Sequence, residues 1–142
     1  MRVLVLRHAS AGHRDDWDGN DRMRPLDEKG RAQAEALAST LAELGTQALY
    51  SSPALRCVQS HEPAAGLLGL SIETRTELDE GGRRNDVLEL LEGVVAPVPT
   101  LCTHGEVIDE LLPGENCEKG AIWVVDVEDG EVRGERYLPP PA

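Results

Sequence analysis

The chain has 142 residues, 40% of them hydrophobic, which is enough for one globular domain spanning residues 1–142. Aromatic residues make up 3% and phenylalanine is absent, so the core has to be aliphatic, and the composition argues against aromatic stacking platforms for nucleic-acid bases. Fourteen basic against 26 acidic residues give a formal net charge of −12, which repels nucleic acid and anionic membranes and would repel a phosphorylated substrate unless a local basic pocket overrides it.

No run approaches the roughly 18 apolar residues of a membrane span. The first apolar run is short and is followed at once by charge, unlike a signal peptide, so the chain is expected to be cytoplasmic. Cys57, Cys102 and Cys117 are widely spaced with no C-x-x-C and read as reduced thiols. A zinc site built from Cys57, His61, Cys102 and His104 would lack structural-zinc spacing, and no metal is expected.

Residues 2–7 form the first predicted strand. Val3-Leu4-Val5-Leu6 is an apolar run of the kind buried on both faces of a sheet, and it ends at Arg7-His8. Buried strands of α/β sheets present their binding groups just beyond their carboxyl ends. There Arg7 offers a fork of donors for an oxyanion, and a neutral His8 offers a nucleophilic nitrogen. Residues 9–25 have no usable period and read as a loop carrying Ser10, His13, Arg14, Trp17, Arg22 and Arg24. That loop is either a solvated segment of mutually neutralising charges or a rim supplying phosphate contacts, with Ser10 as one candidate. Because it leaves directly from His8, the rim reading is preferred, and its acids weigh against a large polyanionic substrate.

Asp27 is a good N-cap for a helix from about Glu28 to Leu44, with Ala34, Leu37, Ala38 and Leu41 on its core face and Gly45 as its stop. Residues 48–51 form a second strand. Ser52 is expected to cap the next helix with Pro53 at its first position, which puts Arg56 in the first turn. A cation is unfavourable there unless an anion is bound beside it or an acid pairs with it. That helix runs to about Leu68, and a third strand covers Leu70 to Thr74. Glu77-Leu78-Asp79-Glu80-Gly81-Gly82 begins an acidic loop, and Asp86 to Glu92 form a short helix. A fourth strand, Pro99 to Thr103, ends at His104-Gly105, before a helix from about Glu106 to Leu112. So a second histidine stands at a strand's carboxyl end. Residues 113–119 are turn-rich. Ile122–Val127 and Glu131–Leu138 read as a two-stranded ribbon turned by Asp129-Gly130. The β/α alternation predicts a three-layer α/β/α sandwich, a mainly parallel sheet with helices on both faces.

Leu6-Arg7-His8, Ser52-Pro53-x-x-Arg56-x-x-Gln59-Ser60 and Thr103-His104-Gly105, each after a predicted strand, resemble in order the motifs of the histidine phosphatase superfamily, the group of phosphoglycerate mutases and acid phosphatases. Pro25-Leu26-Asp27-x-x-Gly30-x-x-Gln33-Ala34 is similar to that family's first helix start. The compact length resembles the small SixA-like phosphohistidine phosphatase branch, and also the phosphatase-type domains that accompany Nudix hydrolase domains. The resemblance implies a phosphoglycerate mutase-like fold, His8 as a transiently phosphorylated nucleophile, and Arg7, Arg56 and His104 as phosphate ligands, with no cofactor and no metal. It further implies a carboxylic acid that protonates the leaving group. Glu80 matches that position best, with Glu77 and Asp79 as rivals. Ala9 departs from the family's usual glycine, and Ser60 replaces a common threonine. The short region from Gly66 to Pro99 leaves no room for a cap domain. An uncapped site suits a phosphate displayed on a protein or the end of a small phosphometabolite, and disfavours a mutase, which must shield an intermediate from water. The expected partners are therefore a phosphorylated protein or small metabolite, with a Nudix-type partner also in view, and neither nucleic acid nor membrane. The rival readings are a non-catalytic phosphate-binding module and a metallohydrolase.

Overall fold

The computed structural model describes residues 1–142. Its six strands are β1 (Arg2–Arg7), β2 (Ala48–Ser51), β3 (Ile72–Thr74), β4 (Pro99–Thr103), β5 (Ile122–Glu128) and β6 (Glu131–Leu138). Its four α-helices are α1 (Glu28–Glu43), α2 (Leu55–Leu68), α3 (Arg84–Glu92) and α4 (Gly105–Leu111). The strands form one sheet in the order β3-β2-β4-β1-β5-β6. β3, β2, β4 and β1 run parallel, and β5 returns antiparallel to both β1 and β6. The expected α/β/α sandwich is present, with the predicted ribbon joined onto the parallel sheet as its last two strands.

The alternation of side chains along a strand explains the layers. In β1, Val3 and Val5 join Leu90, Leu91, Val107, Ile108 and Leu111 of α3 and α4 in one core cluster. Leu4 and Leu6 point the other way, into a cluster with Leu37, Leu41, Ala54, Cys57 and Ala64 from α1, α2 and the turn before α2. Since β1 is buried on both faces, it reads as an unbroken apolar run. A third small cluster, Ala9, Ala11, Leu26 and Ala34, fastens the chain after His8 onto α1.

Caps and turns set the boundaries. Asp27 caps α1 by accepting from the Gly30 N–H at 2.7 Å. Asp129 and Gly130 have φ of 51° and 77°, the paired left-handed conformation that a two-residue hairpin turn requires. Three boundaries depart from the sequence reading. β3 begins at Ile72 rather than Leu70, because Gly69 closes α2 in the left-handed region and the Leu70 N–H returns to the Ala65 carbonyl. α3 begins at Arg84, where the Asp86 carboxylate accepts from the Arg83 N–H at 2.9 Å. α2 begins at Leu55 with Ala54 as its N-cap, and Ser52 is drawn instead toward the end of β4. The loop 9–25 holds two short 3-10 turns, Arg14–Asp16 and Asp21–Met23. β3 is an edge of three residues, and β6 is an edge rich in exposed charge, with a register irregularity opposite Val124 and Val125. No helix is long and apolar enough to cross a membrane.

One buried group ties the fold to pH. His61 of α2 is fully buried, with Nε2 3.0 Å from the Tyr50 carbonyl. Burial pushes its pKa down to about 4. Between pH 6.5 and 4 the unfolded chain takes up a proton that the native state refuses, so stability falls as the pH falls across that window. The shift from 6.5 to about 4 corresponds to roughly 3 kcal/mol. Urea unfolding at pH 7 and at pH 4 should show that His61→Gln loses about 3 kcal/mol less across this interval than the unmodified chain, in which buried His8 adds a loss of its own.

Candidate active site

The site forms where β1 and β4 end side by side. Their parallel register pairs Arg7 with Thr103, and the His8 N–H donates to the Thr103 carbonyl at 3.1 Å. The next residue of each chain segment is a histidine, and the rings of His8 and His104 stand edge to face with centroids 5.5 Å apart. Both are buried, at 5% and 4% exposure, yet both line a cavity of about 340 Å³ that opens at this end of the sheet.

His8 is held in one tautomer. Its Nδ1 lies 2.8 Å from the carbonyl oxygen of Ala9, so Nδ1 carries the hydrogen and Nε2 keeps its lone pair. Burial, together with the nearby charges of Arg56, His104 and Arg7, pushes its pKa down to about 3 against the raising effect of the hydrogen bond to Ala9. The Ser60 hydroxyl accepts from the Ala9 N–H at 2.9 Å and anchors the same turn from α2.

Two guanidinium groups flank this imidazole. Arg7 donates to the Cys117 carbonyl at 2.9 Å and leans on the first residue of α4, where a Cβ at Gly105 would lie 3.1 Å from its Cζ. Arg56 is 2% exposed and enters from the first turn of α2. It donates to the Asp21 carbonyl at 2.9 Å and to Glu80 Oε1 at 2.5 Å, and it lies 3.3 Å from the Asp21 carboxylate. Of the two alternatives for a cation at that helix start, the acid pairing is present, and Arg56 also faces the cavity. The Nε atoms of both arginines are buried without a hydrogen-bond partner. His104 has Ser52 Oγ 2.9 Å from Nε2, and Glu80 Oε1 3.7 Å from Nδ1.

The three candidate carboxylates separate clearly. Glu77 is ion-paired with Arg75 at 2.7 Å, away from the histidines. Asp79 pairs with Arg22 and lies 4.0 Å from His104 Nε2. Glu80 alone of the three lines the cavity with both histidines, bridged to Arg14 and Arg56. Asp21 supports this cluster from the loop. Burial pushes its carboxyl up, but the hydrogen bond from Arg24 and the charges of Arg56, Arg24 and Arg14 outweigh that and hold it below the usual range.

The loop 9–25 divides in two. His13, Arg14 and Arg24 line the cavity. Ser10 does not, which corrects its expected place among the phosphate contacts. Its hydroxyl donates to Asp27 at 2.8 Å and its N–H to Gln33 Oε1 at 2.9 Å, so it ties the loop to α1. Lys119 and Glu106 also line the cavity and were not singled out from the sequence. Only the antiparallel return of β5 beside β1 brings Lys119 there, and a single basic residue in a turn-rich stretch gives no local signal of that. Cys57 and His104 are adjacent, at 3.7 Å, but His61 faces the Tyr50 carbonyl, and no group of three His, Cys, Asp or Glu side chains is placed to hold a metal ion. All three cysteines are free and buried.

A model of the histidine phosphatase superfamily (branch 1) matches residues 3–85. The chain belongs to that superfamily. It is 40% identical to the 8-oxo-(d)GTP phosphatase of Mycolicibacterium smegmatis across 98% of this chain and 48% of that protein. It is 28% identical to the transcription factor tau 55 kDa subunit of Saccharomyces cerevisiae across 96% of this chain and 31% of that protein. The chain thus spans half or less of the length of these curated relatives. Among solved structures it superimposes on the protein histidine phosphatase SixA complexed with tungstate with a TM-score of 0.80 and 26% identity, covering 98% of this chain and 97% of that one. The mycobacterial glucosyl-3-phosphoglycerate phosphatase bound to VO3 shares the fold, with a TM-score of 0.76 at 18% identity and coverage of 97% and 99%.

The tautomer and burial of His8 make a direct prediction for this histidine phosphatase fold. In a pH titration followed by NMR, the His8 ring should show no protonation step between pH 7.5 and about 4.5, since its pKa lies at about 3. A midpoint near the ordinary value of about 6.5 would contradict the geometry described.

Proposed function

We propose that this chain is a metal-independent phosphatase that works through a phosphohistidine intermediate on His8. The observation that carries the reading is the His8 imidazole, kept neutral by burial and in one tautomer by the Ala9 carbonyl, at a cavity flanked by the half-buried Arg7 and the buried Arg56, each with an unpartnered Nε–H donor. Phosphoryl transfer asks a protein mainly for positioning and for neutralisation of charge on the equatorial oxygens. Arg7, Arg56 and His104 supply that neutralisation. His8 Nε2 attacks phosphorus, the new N–P bond forms, and the bond to the leaving group breaks. Glu80, 3.7 Å from His104 and on the same cavity, gives its proton to an alkoxide or imidazole leaving group. Water then attacks the phosphohistidine with Glu80 as its base, and the N–P bond breaks to release orthophosphate.

The substrates proposed are phosphohistidine on a protein and small phosphoesters, supported by the uncapped cavity and by the likeness to SixA. The 40% identity to an 8-oxo-(d)GTP phosphatase adds nucleotides to the small-molecule side. We also propose a Nudix-type hydrolase as a partner, supported by the resemblance to phosphatase domains that accompany Nudix domains and by the 48% coverage of the M. smegmatis relative. The name of the yeast relative, a transcription factor subunit, favours a second reading: a phosphate-binding module that keeps the pocket without turnover.

Hydrolysis of an aryl phosphate in excess EDTA separates these readings. The unmodified chain should turn over with EDTA present, and His8→Ala should lower kcat by about a thousandfold or more. Arg56→Ala should raise KM and lower kcat together, the latter by about a hundredfold, because its fork holds both ground and transition states. Phosphate binding without turnover would establish the binding module, and activity lost only to EDTA would establish a metallohydrolase.

A further inference from the structure

The cavity holds more positive charge than one phosphoryl group needs. Arg7, Arg14, Arg24, Arg56 and Lys119 line it, against only Glu80 and Glu106 as acids, and no hydrophobic residue is present. This happens in a chain whose formal net charge is −12. Of the loop's acids, Asp21 pairs with Arg14, Arg24 and Arg56 from outside the cavity lining, while Asp15, Asp16 and Asp18 do not line it either, so the excess is reduced but not cancelled.

These cations differ in how they are neutralised. Arg14 and Arg56 share Glu80 and Asp21, and Arg24 pairs with Asp21 at 2.9 Å. Lys119 has no acid partner. Its ammonium has only the Gly12 carbonyl, at 3.5 Å, within hydrogen-bonding reach. Burial first, and then the charges of Arg7, Arg24 and Arg56, lower its pKa, with the Asp27 carboxylate offsetting only part of this.

The backbone fixes Lys119 there. The Gly120 N–H donates to the carbonyls of both Arg7 and His8, at 3.0 and 3.1 Å, so the residue before it cannot swing away from the end of β1. On the same side Arg24 donates to the Ala11 carbonyl at 2.5 Å and reaches the Gly12 carbonyl at 3.4 Å, the oxygen that Lys119 also meets. The Arg56, Glu80 and His104 side is linked by its own contacts. Lys119, Gly12 and Arg24 therefore form a second cationic wall beside the clamp around His8.

We propose that Lys119 is the key residue of a second phosphoryl subsite, and that the substrate class is a phosphoanhydride, in which the phosphoryl attacked by His8 is joined to another phosphate held by Lys119. The inference rests on the phosphatase reading above and names its substrate. In the step it implies, His8 Nε2 bonds to the terminal phosphorus and the P–O bond to the bridging oxygen breaks. That oxygen leaves with the electron pair as part of the shortened phosphate chain, and water later releases orthophosphate from His8. Lys119 faces the charge that develops on the leaving phosphate. A phosphate leaving group carries that charge without taking a proton, so this step does not call on Glu80 as an acid.

The test measures binding apart from turnover. In the His8→Ala protein with EDTA, calorimetry gives dissociation constants for inorganic tripolyphosphate and for orthophosphate. Tripolyphosphate should bind about tenfold tighter or more. Adding Lys119→Met should reduce that ratio about tenfold, and Lys119→Arg should largely keep it. With His8 in place, Lys119→Met should raise KM for tripolyphosphate more than for an aryl phosphate. Equal affinity for the two anions, or a ratio unchanged by Lys119→Met, would overturn the subsite. A lysine-dependent ratio in a protein that turns over neither compound would uphold the subsite and sink the phosphatase reading instead.

Discussion

Everything at this site depends on β1 and β4 pairing in parallel with Arg7 opposite Thr103. That register puts His8 and His104 one residue past the last rungs of two neighbouring strands, with rings 5.5 Å apart. A slip of one residue would turn either ring to the opposite face of the sheet. The register is specified because both strands are buried on both faces, so a slip would also send Val3 and Val5 into the space packed for Leu4 and Leu6. The positions of the two histidines are therefore a property of the aliphatic core, which helps explain how a chain without phenylalanine builds a defined site.

The second constraint is electrostatic. Buried cations are tolerated only with partners. Arg56 meets this requirement through Glu80 and Asp21, and Arg7 through the Cys117 carbonyl. Asp21 is the common acid for Arg14, Arg24 and Arg56, so one carboxylate on a short 3-10 turn organises the loop side of the cavity. Around His8, burial first and then the same positive charge keep the imidazole neutral. The groups proposed to meet an oxyanion and the imidazole proposed to attack it thus support each other.

Much of this was legible in the sequence. The apolar run of β1, the Asp27 cap, the Asp129-Gly130 turn and the strand-end positions of Arg7, His8 and His104 are local signals, and the structure places them as read. What escaped was decided by long-range partners. Ser52 and Pro53 have the chemistry of a helix start, yet α2 begins at Leu55 and Ser52 Oγ pairs with His104, 52 residues away. Ser10 seemed free to reach a ligand, yet Asp27 takes its hydroxyl. Glu80 could not be separated from Glu77 and Asp79 until their partners, Arg75 for one and Arg22 for the other, were in view. Lys119 had no local signal, because its place depends on β5 reversing direction beside β1.

The two outer strands carry a consequence of another kind. An open sheet edge is a template for adding a further strand from another molecule. Here one edge, β3, is three residues long, and the other, β6, presents exposed charges such as Arg133, Glu135 and Arg136 beside a register irregularity. Neither edge offers the long, flat, uncharged ladder that strand addition needs. That leaves the helical faces and the loops around the cavity mouth as the surfaces open to another macromolecule, and the mouth is also the entry for the phosphorylated group proposed above.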